Sequence, residues 1–381
     1  MSHEARGESV LVSFADVPDP RSRACRYPWD ELMFTALCGV CSGADDWVGV
    51  VAWATLKLDW LRQHLPFANG IASHDTFSRV FSLLEAQRFE ACFVGWTRSM
   101  CPNLAQQLIP IDGKSVRRSH NGSSRMAHLV SAWHTERGLV LAQVKTAAKS
   151  NEITAIPELL DALDVQGAII TIDAMGCQRA VVEKIVARQA DYIIGVKDNQ
   201  PLLAQAIEKL FDAHDANPSA APLAQDSSVD KGHGRVEIRS CTVAHDLQSL
   251  GEPGQPWAGL RSVVRVHSIR EAVNGKAKGE RSVEWRYYIS SLALSAEDFN
   301  AAIRAHWGIE NSCHWVLDMT FREDDCRIRT GEGAQNFAIL RRIALNLIKQ
   351  ERSGKSSLHI KRQRAGWSTS YLEKLLGLIP H

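Results

Sequence analysis

Between residues 107 and 216 the apolar pattern changes in a set succession, and that succession limits the fold more than any other feature of the chain. Residues 107–112 form an apolar run that closes on Asp112. Ala127 to His134 and Leu139 to Thr146 then alternate like two antiparallel strands around the turn Glu136-Arg137-Gly138. The spacing next predicts a helix over 157–163, a buried strand over 168–173 closing on Asp173, a helix over 178–189, a strand over 192–196 and a helix after Pro201. A hairpin followed by helix-linked strands requires one sheet with antiparallel and parallel parts.

Three strands, helix, strand, helix, strand is the order of a ribonuclease H-like core. In that core the first and fourth strands are neighbours, which brings Asp112 and Asp173 together. Short β-type segments over 235–244, 260–267 and 283–290 predict a β-rich insertion at about 215–288. A helix over 295–320 then carries Glu310. Upstream, apolar residues recur at helical spacing through Glu31 to Cys41, Trp47 to Leu65, Asp75 to Leu84 and Phe89 to Met100, with Ser73 placed as an N-cap. The expected organisation is α/β: a small all-helical N-terminal domain over 1–105, a catalytic domain over 106–350 containing the insertion, and a basic C-terminal tail with a short helix over 351–381.

Asp112, Asp173 and Glu310 come from separate elements, an arrangement suited to holding two hard divalent cations against a phosphodiester. Each acid alone has a plainer reading, as an Asp-Gly turn or a helix cap. The coincidence of three is what favours a site. Asp318 and the run Glu323, Asp324, Asp325 compete with Glu310 for the third position.

The net charge of +1 gives no general attraction to nucleic acid. Over 321–381, however, Lys and Arg outnumber Asp and Glu by 12 to 6, with Lys361, Arg362 and Arg364 close together. The N-terminus lacks an apolar secretory segment, and no run approaches the roughly 20 apolar residues of a membrane span, so a cytosolic protein is expected. Nine cysteines in such a chain predict reduced, mostly buried thiols. The pair Cys38 and Cys41 has zinc-like spacing but no second half, so a structural role is expected.

A series of phrases resembles the H-repeat-associated transposases, a branch of the bacterial DDE insertion-sequence transposases. They are NGIASHDTFSRVF at 69–81, IDGKSVR at 111–117, KSNEITAIPELLDALD at 149–164, TIDAMGCQ at 171–178, DYIIGVKDNQ at 191–200, GHGRVEIR at 232–239, RYYISS at 286–291 and HWGIENSCHWVLDMTFREDDCR at 306–327. The resemblance implies that Asp112, Asp173 and Glu310 form a metal-binding triad using two Mg²⁺, or Mn²⁺ in its place. It also implies double-stranded DNA as partner, both as terminal inverted repeats and as target, and a homodimer in the DNA complex. Ile303 and Leu317 stand seven residues before and after Glu310, where related transposases carry tyrosine and lysine. Their phosphate-orienting work must therefore fall to other residues. Candidate DNA contacts are Lys114, Lys197, Asn199, Gln200, His233, Arg235, Arg239, His306, Asn311, His314, Lys361, Arg362 and Arg364. Trp307 and Trp315 are expected to pack the third helix onto the sheet. A nuclease of the same fold and a catalytically silent DNA-binding protein are the rival functions.

Overall fold

Helices account for the first hundred residues in the computed structural model, which describes residues 10–23, 25–120, 126–146, 152–219, 223–232, 234–255, 257–274 and 278–378. They are α1 (Val10–Ser13), α2 (Trp29–Cys41), α3 (Trp47–Leu56), α4 (Leu58–Leu61), α5 (His74–Leu83) and α6 (Ala86–Met100). Two of their starts are set by side-chain caps: Asp46 accepts from the Gly49 N–H ahead of α3, and Ser73 accepts from the Thr76 N–H ahead of α5. The helix expected over 47–65 is thus broken at Lys57.

The predicted core follows as β1 (Leu108–Val116), β2 (Ala127–His134), β3 (Leu139–Lys145), α7 (Glu152–Ala162), β4 (Ile169–Ile172), α8 (Arg179–Ala187), β5 (Asp191–Val196) and α9 (Pro201–Ala216). Strand order is β3-β2-β1-β4-β5, with β1, β4 and β5 parallel and the β2–β3 hairpin antiparallel. This is a ribonuclease H-like core. The central strand β4 reads Ile-Ile-Thr-Ile, β-branched throughout, as suits a strand covered on both faces. One face is covered by α7 and α8 through Ile156, Leu159, Leu160, Val181 and Ile185. α7 starts at Glu152, earlier than the spacing predicted, and takes Pro157 into its second turn.

The insertion supplies β6 (Ala224–Gly232), β7 (Arg235–Ala244), β8 (Ser262–Ala272) and β9 (Arg281–Ser290). β9 pairs antiparallel with β5 from Ile193↔Ser290 to Val196↔Tyr287, and the order continues β9-β8-β7-β6. The insertion therefore extends the core sheet to nine strands. Helix α10 (Ala296–His306), capped by Ser295, lays Phe299 and Ile303 across it against Ile193, Val264 and Val266.

The C-terminal part departs from the expected tail. After α11 (Trp315–Met319), α12 (Gly333–Gln350) runs buried between the sheet and the N-terminal helices. Asn346 on α12 brackets β3, its Oδ1 accepting from Val140 N at 2.9 Å and its Nδ2 donating to Val140 O at 2.8 Å. α13 (Leu358–Trp367) and α14 (Thr369–Leu376) follow, and Tyr371, Leu372 and Leu376 join the same apolar core as Phe34, Phe77 and Phe81 of the N-terminal helices. Helices from the first hundred described residues and from α12 to α14 thus build one helical body. The basic residues serve that packing. Arg362 is buried and donates to the carbonyls of Val40, Ala44 and Thr320 and to Asp45 Oδ1. Lys361 is buried against Glu351, and Arg364 stacks on Tyr371. A count of charges along the sequence cannot register acceptors that arrive from residues 40–45.

No described helix is long and apolar enough to cross a membrane. All nine cysteines are free thiols; burial pushes Cys41 up to about 12 and Cys38 well above its ordinary value, as fits small apolar packing groups.

Candidate active site

Strand β1 does not end at Asp112. Its ladder with β2 continues to Val116, with Asp112 opposite Ser131. What ends there is the parallel ladder with β4, whose last pair is Ile111↔Ile172. Asp112 and Asp173 are therefore the next residues on two adjacent strands just as these part, which is the geometry expected of a site at the carboxyl end of parallel strands. Asp112 Oδ1 accepts from the Gly113 N–H at 2.9 Å. Asp173 Oδ1 accepts from the Met175 N–H at 3.0 Å and caps a short 3-10 turn over Ala174–Gly176.

Glu310 does not sit in the middle of a regular helix. α10 stops at His306, and Glu310 opens a π-helical turn over Glu310–His314 before α11 resumes. Such wider turns concentrate at functional sites. The turn sends His306, Glu310 and His314 to different surroundings, although a regular helix would bring residues at that four-residue spacing to one face. Glu310 is exposed, whereas His314 is buried with Nδ1 3.4 Å from Asp112 Oδ2. His306 Nδ1 exchanges a hydrogen bond of 2.8 Å with Thr171 Oγ1 on β4. Burial holds His306 at about 4 and His314 at about 3, so both are neutral near pH 7 and offer no cation to a phosphate. Trp307 lies under the Arg286 guanidinium at 4.6 Å, while Trp315 is exposed rather than packed on the sheet.

Lys114 shares a face of β1 with Asp112, but its ammonium is taken by three acids: Asp318 at 2.7 Å, Asp324 at 2.9 Å and Glu323 at 3.5 Å. Glu323, fully buried, also pairs with Arg342 Nη1 at 2.8 Å. The acids that competed with Glu310 thus have cationic partners of their own, and together with Lys114 they fasten the segment after Glu310 to β1. Asp325 is held by Arg118 and Arg322.

A cleft of about 990 Å³ opens beside Glu310, lined also by Arg235, Arg239, Arg270, Arg286, Arg304 and Lys349. The insertion and α10 supply its five arginines. Arg239 is 5% exposed, has Nε without a hydrogen-bond partner among the described residues and is pulled below the ordinary guanidinium range by burial. Asn311 lines the same cleft and donates to Trp307 O. Asn199 and Gln200 donate to the carbonyls of Ala174 and Cys177, so they brace the turn that follows Asp173; burial and then Glu152 raise the Asp173 pKa, and Lys197 offsets part of that rise. His233 lies outside the described residues.

One acid escaped the sequence reading. Glu152, in the first turn of α7, lies near enough to both aspartates for its charge to raise the pKa of each. Its only sequence signal was a place inside the 149–164 phrase. Burial, then Glu152, Asp173 and Glu310, push Asp112 up to about 7, against a lowering hydrogen bond from Gly113. Among the described residues no three His, Cys, Asp or Glu side chains converge tightly enough to hold an ion as they stand. The donor set nevertheless fits a hard divalent cation: it is all oxygen, and its mutual repulsion is what a cation would relieve.

The Asp112 shift has a measurable sign. In cation-free buffer the folded chain keeps the Asp112 proton to about pH 7, whereas the unfolded chain releases it near pH 4. That stabilising contribution is complete below about pH 4 and is lost as pH rises through about 7. Thermal melts should therefore fall more between pH 5 and 8 for the wild type than for Asp112→Asn, and equal slopes would assign the titration to another group.

Residues 11–97 match the family described as DDE_Tnp_1-associated, and residues 103–347 match the family described as transposase DDE domain. The "H repeat-associated putative transposase YhhI" of Escherichia coli strain K12 is 39% identical over 97% of this chain and 98% of its own length. The protein YbfL of the same strain is 40% identical over the same shares. A solved piggyBac transposase synaptic complex with hairpin DNA covers 97% of this chain and 78% of its own at 10% identity, with a TM-score of 0.41, too low to inform the site. With two family models spanning the helical module and the carboxylate-bearing core, and relatives aligned nearly end to end, this chain belongs to the DDE transposase family, among its H repeat-associated members.

Proposed function

We propose that this chain is the transposase of an insertion sequence: it binds the element's terminal inverted repeats, cuts at the ends and joins the freed 3′-hydroxyl to target DNA. The observation that carries this reading is the placement of Asp112 and Asp173 side by side at the end of the parallel ladder, with Glu310 in the wall of an arginine-lined cleft. Guanidinium groups in such a cleft neutralise and position phosphates without reading sequence. They also supply the phosphate-orienting charge that Ile303 and Leu317 cannot.

A transposase DDE domain implies divalent metal use. Asp112, Asp173 and Glu310 would hold the ions, two Mg²⁺ with Mn²⁺ able to substitute. Held there, such ions would supply Lewis-acid charge to the phosphodiester. The chain's own residues fix the geometry: the Gly113 and Met175 N–H groups orient the aspartates, and neutral His314 backs Asp112 without adding charge. Cutting and joining are both in-line displacements at phosphorus, so one site serves both. Work on two ends calls for at least a dimer on DNA, in the bacterial cytosol.

The test is a strand-transfer assay with Mg²⁺ and pre-cleaved ends. Joined products covalently linked to target DNA are expected, in an amount that falls as salt rises. Efficient cutting with no joining would make the protein a nuclease of the same fold instead.

A further inference from the structure

Glu152 approaches β1 at a gap beside Asp112. Gly113 follows Asp112, and a Cβ built there would lie 2.1 Å from Glu152 Oε1 and 2.5 Å from His128 Nε2. No residue with a side chain could stand at 113 while both groups keep their places. His128 on β2 aims the carboxylate: its Nε2 is 2.7 Å from Glu152 Oε1, and its Nδ1 is 2.9 Å from Ser115 Oγ. One neutral tautomer satisfies both contacts, with Nε2 donating to Glu152 and Nδ1 accepting from the Ser115 hydroxyl. On another side of Asp112, the buried His314 keeps Nε2 without a partner among the described residues while Nδ1 faces Asp112 Oδ2.

We propose that Glu152 is a fourth carboxylate donor to the divalent-cation site, aimed by the Ser115–His128 pair across the bare backbone of Gly113. The inference rests on the metal-dependent reading above. Charge supports it: three carboxylates leave two divalent cations one positive charge in excess, and four balance them. The helix start does so too, since a carboxylate in the first turn of α7 is favoured by the helix dipole and held on a rigid element. A purely structural Glu152 would serve only to pair with His128.

Those two roles differ in sign for the cation-free protein. Mn²⁺ binding to the full chain, read from the electron paramagnetic resonance of free Mn²⁺ without DNA, should weaken on the order of 10-fold or more in Glu152→Gln. The cation-free melting temperature of the same variant should stay level or rise, because one repelling charge has gone, while the stabilisation by Mn²⁺ shrinks. His128→Ala should weaken Mn²⁺ binding by a smaller factor, since it loosens the donor without deleting it. Glu152→Asp keeps the charge at shorter reach and should fall between wild type and Glu152→Gln, which carries the test should the glutamine variant fail to fold. Unchanged Mn²⁺ affinity with a lowered cation-free melting temperature would overturn the inference alone. No Mn²⁺ binding by the wild type would overturn the metal reading and this inference together.

Discussion

Replacing Asp112 or Asp173 by alanine is expected to lower DNA cleavage by about a thousandfold or more, while binding to the element's ends is largely retained. Losing a ligand that holds Lewis-acid charge at the reacting phosphate removes several kcal/mol from the transition state, and about 4 kcal/mol is already a factor near a thousand. End binding should persist because both aspartates leave the basic cleft untouched and repel DNA rather than attract it. Glu310→Ala should lose cleavage equally, since the acids that competed for its place are occupied: Glu323 with Arg342, and Asp318 and Asp324 with Lys114. Gel-shift and cleavage assays on the same end fragment check both halves. Retained cutting in Glu310→Ala would move the third ligand elsewhere.

The largest stability effect is expected at Glu323 and Arg342. Both side chains are fully buried and joined at 2.8 Å, so removing one leaves a charge stranded in the core. Glu323→Ala or Arg342→Ala should cost about 3–5 kcal/mol, whereas replacing both with apolar residues of similar volume should cost much less. Burial alone would raise the Glu323 pKa, but Arg342, Lys114 and Arg341 outweigh it and hold the carboxyl at about 2. The pair's contribution is therefore complete above the unfolded value near pH 4.5 and is lost as pH falls through about 2. Chemical denaturation of the single and double variants at pH 7 and pH 3 reads both statements. Loss of Glu323 should also depress cleavage, because it frees the segment that follows Glu310.

The core was legible because its signals are local. Runs such as AIITID carry their own periodicity, and an acid at the end of each run marks the sheet edge. The π turn at Glu310 was not legible, since it depends on where α10 and α11 dock rather than on the residues between Trp307 and His314. Lys114 and Arg362 read as candidate DNA contacts for a related reason: most of their partners lie more than 200 residues away in the chain, Asp318 to Asp324 for one and Val40 to Asp45 for the other. Glu152 went unnoticed because attention to strand ends passes over a helix start, and only the missing side chain at Gly113 lets it approach.

Continuity of the nine-stranded sheet turns it into a ruler. From β1, which carries Asp112, the order runs through β4 and β5 to β9, which carries Arg286, so three hydrogen-bonded strand spacings, about 14 Å, separate them. A strand of DNA advances about 3.4 Å per nucleotide along its axis. Under the proposed function, arginines on that side would meet the backbone a few nucleotides from the phosphate being cut, at an interval set by the β5–β9 register.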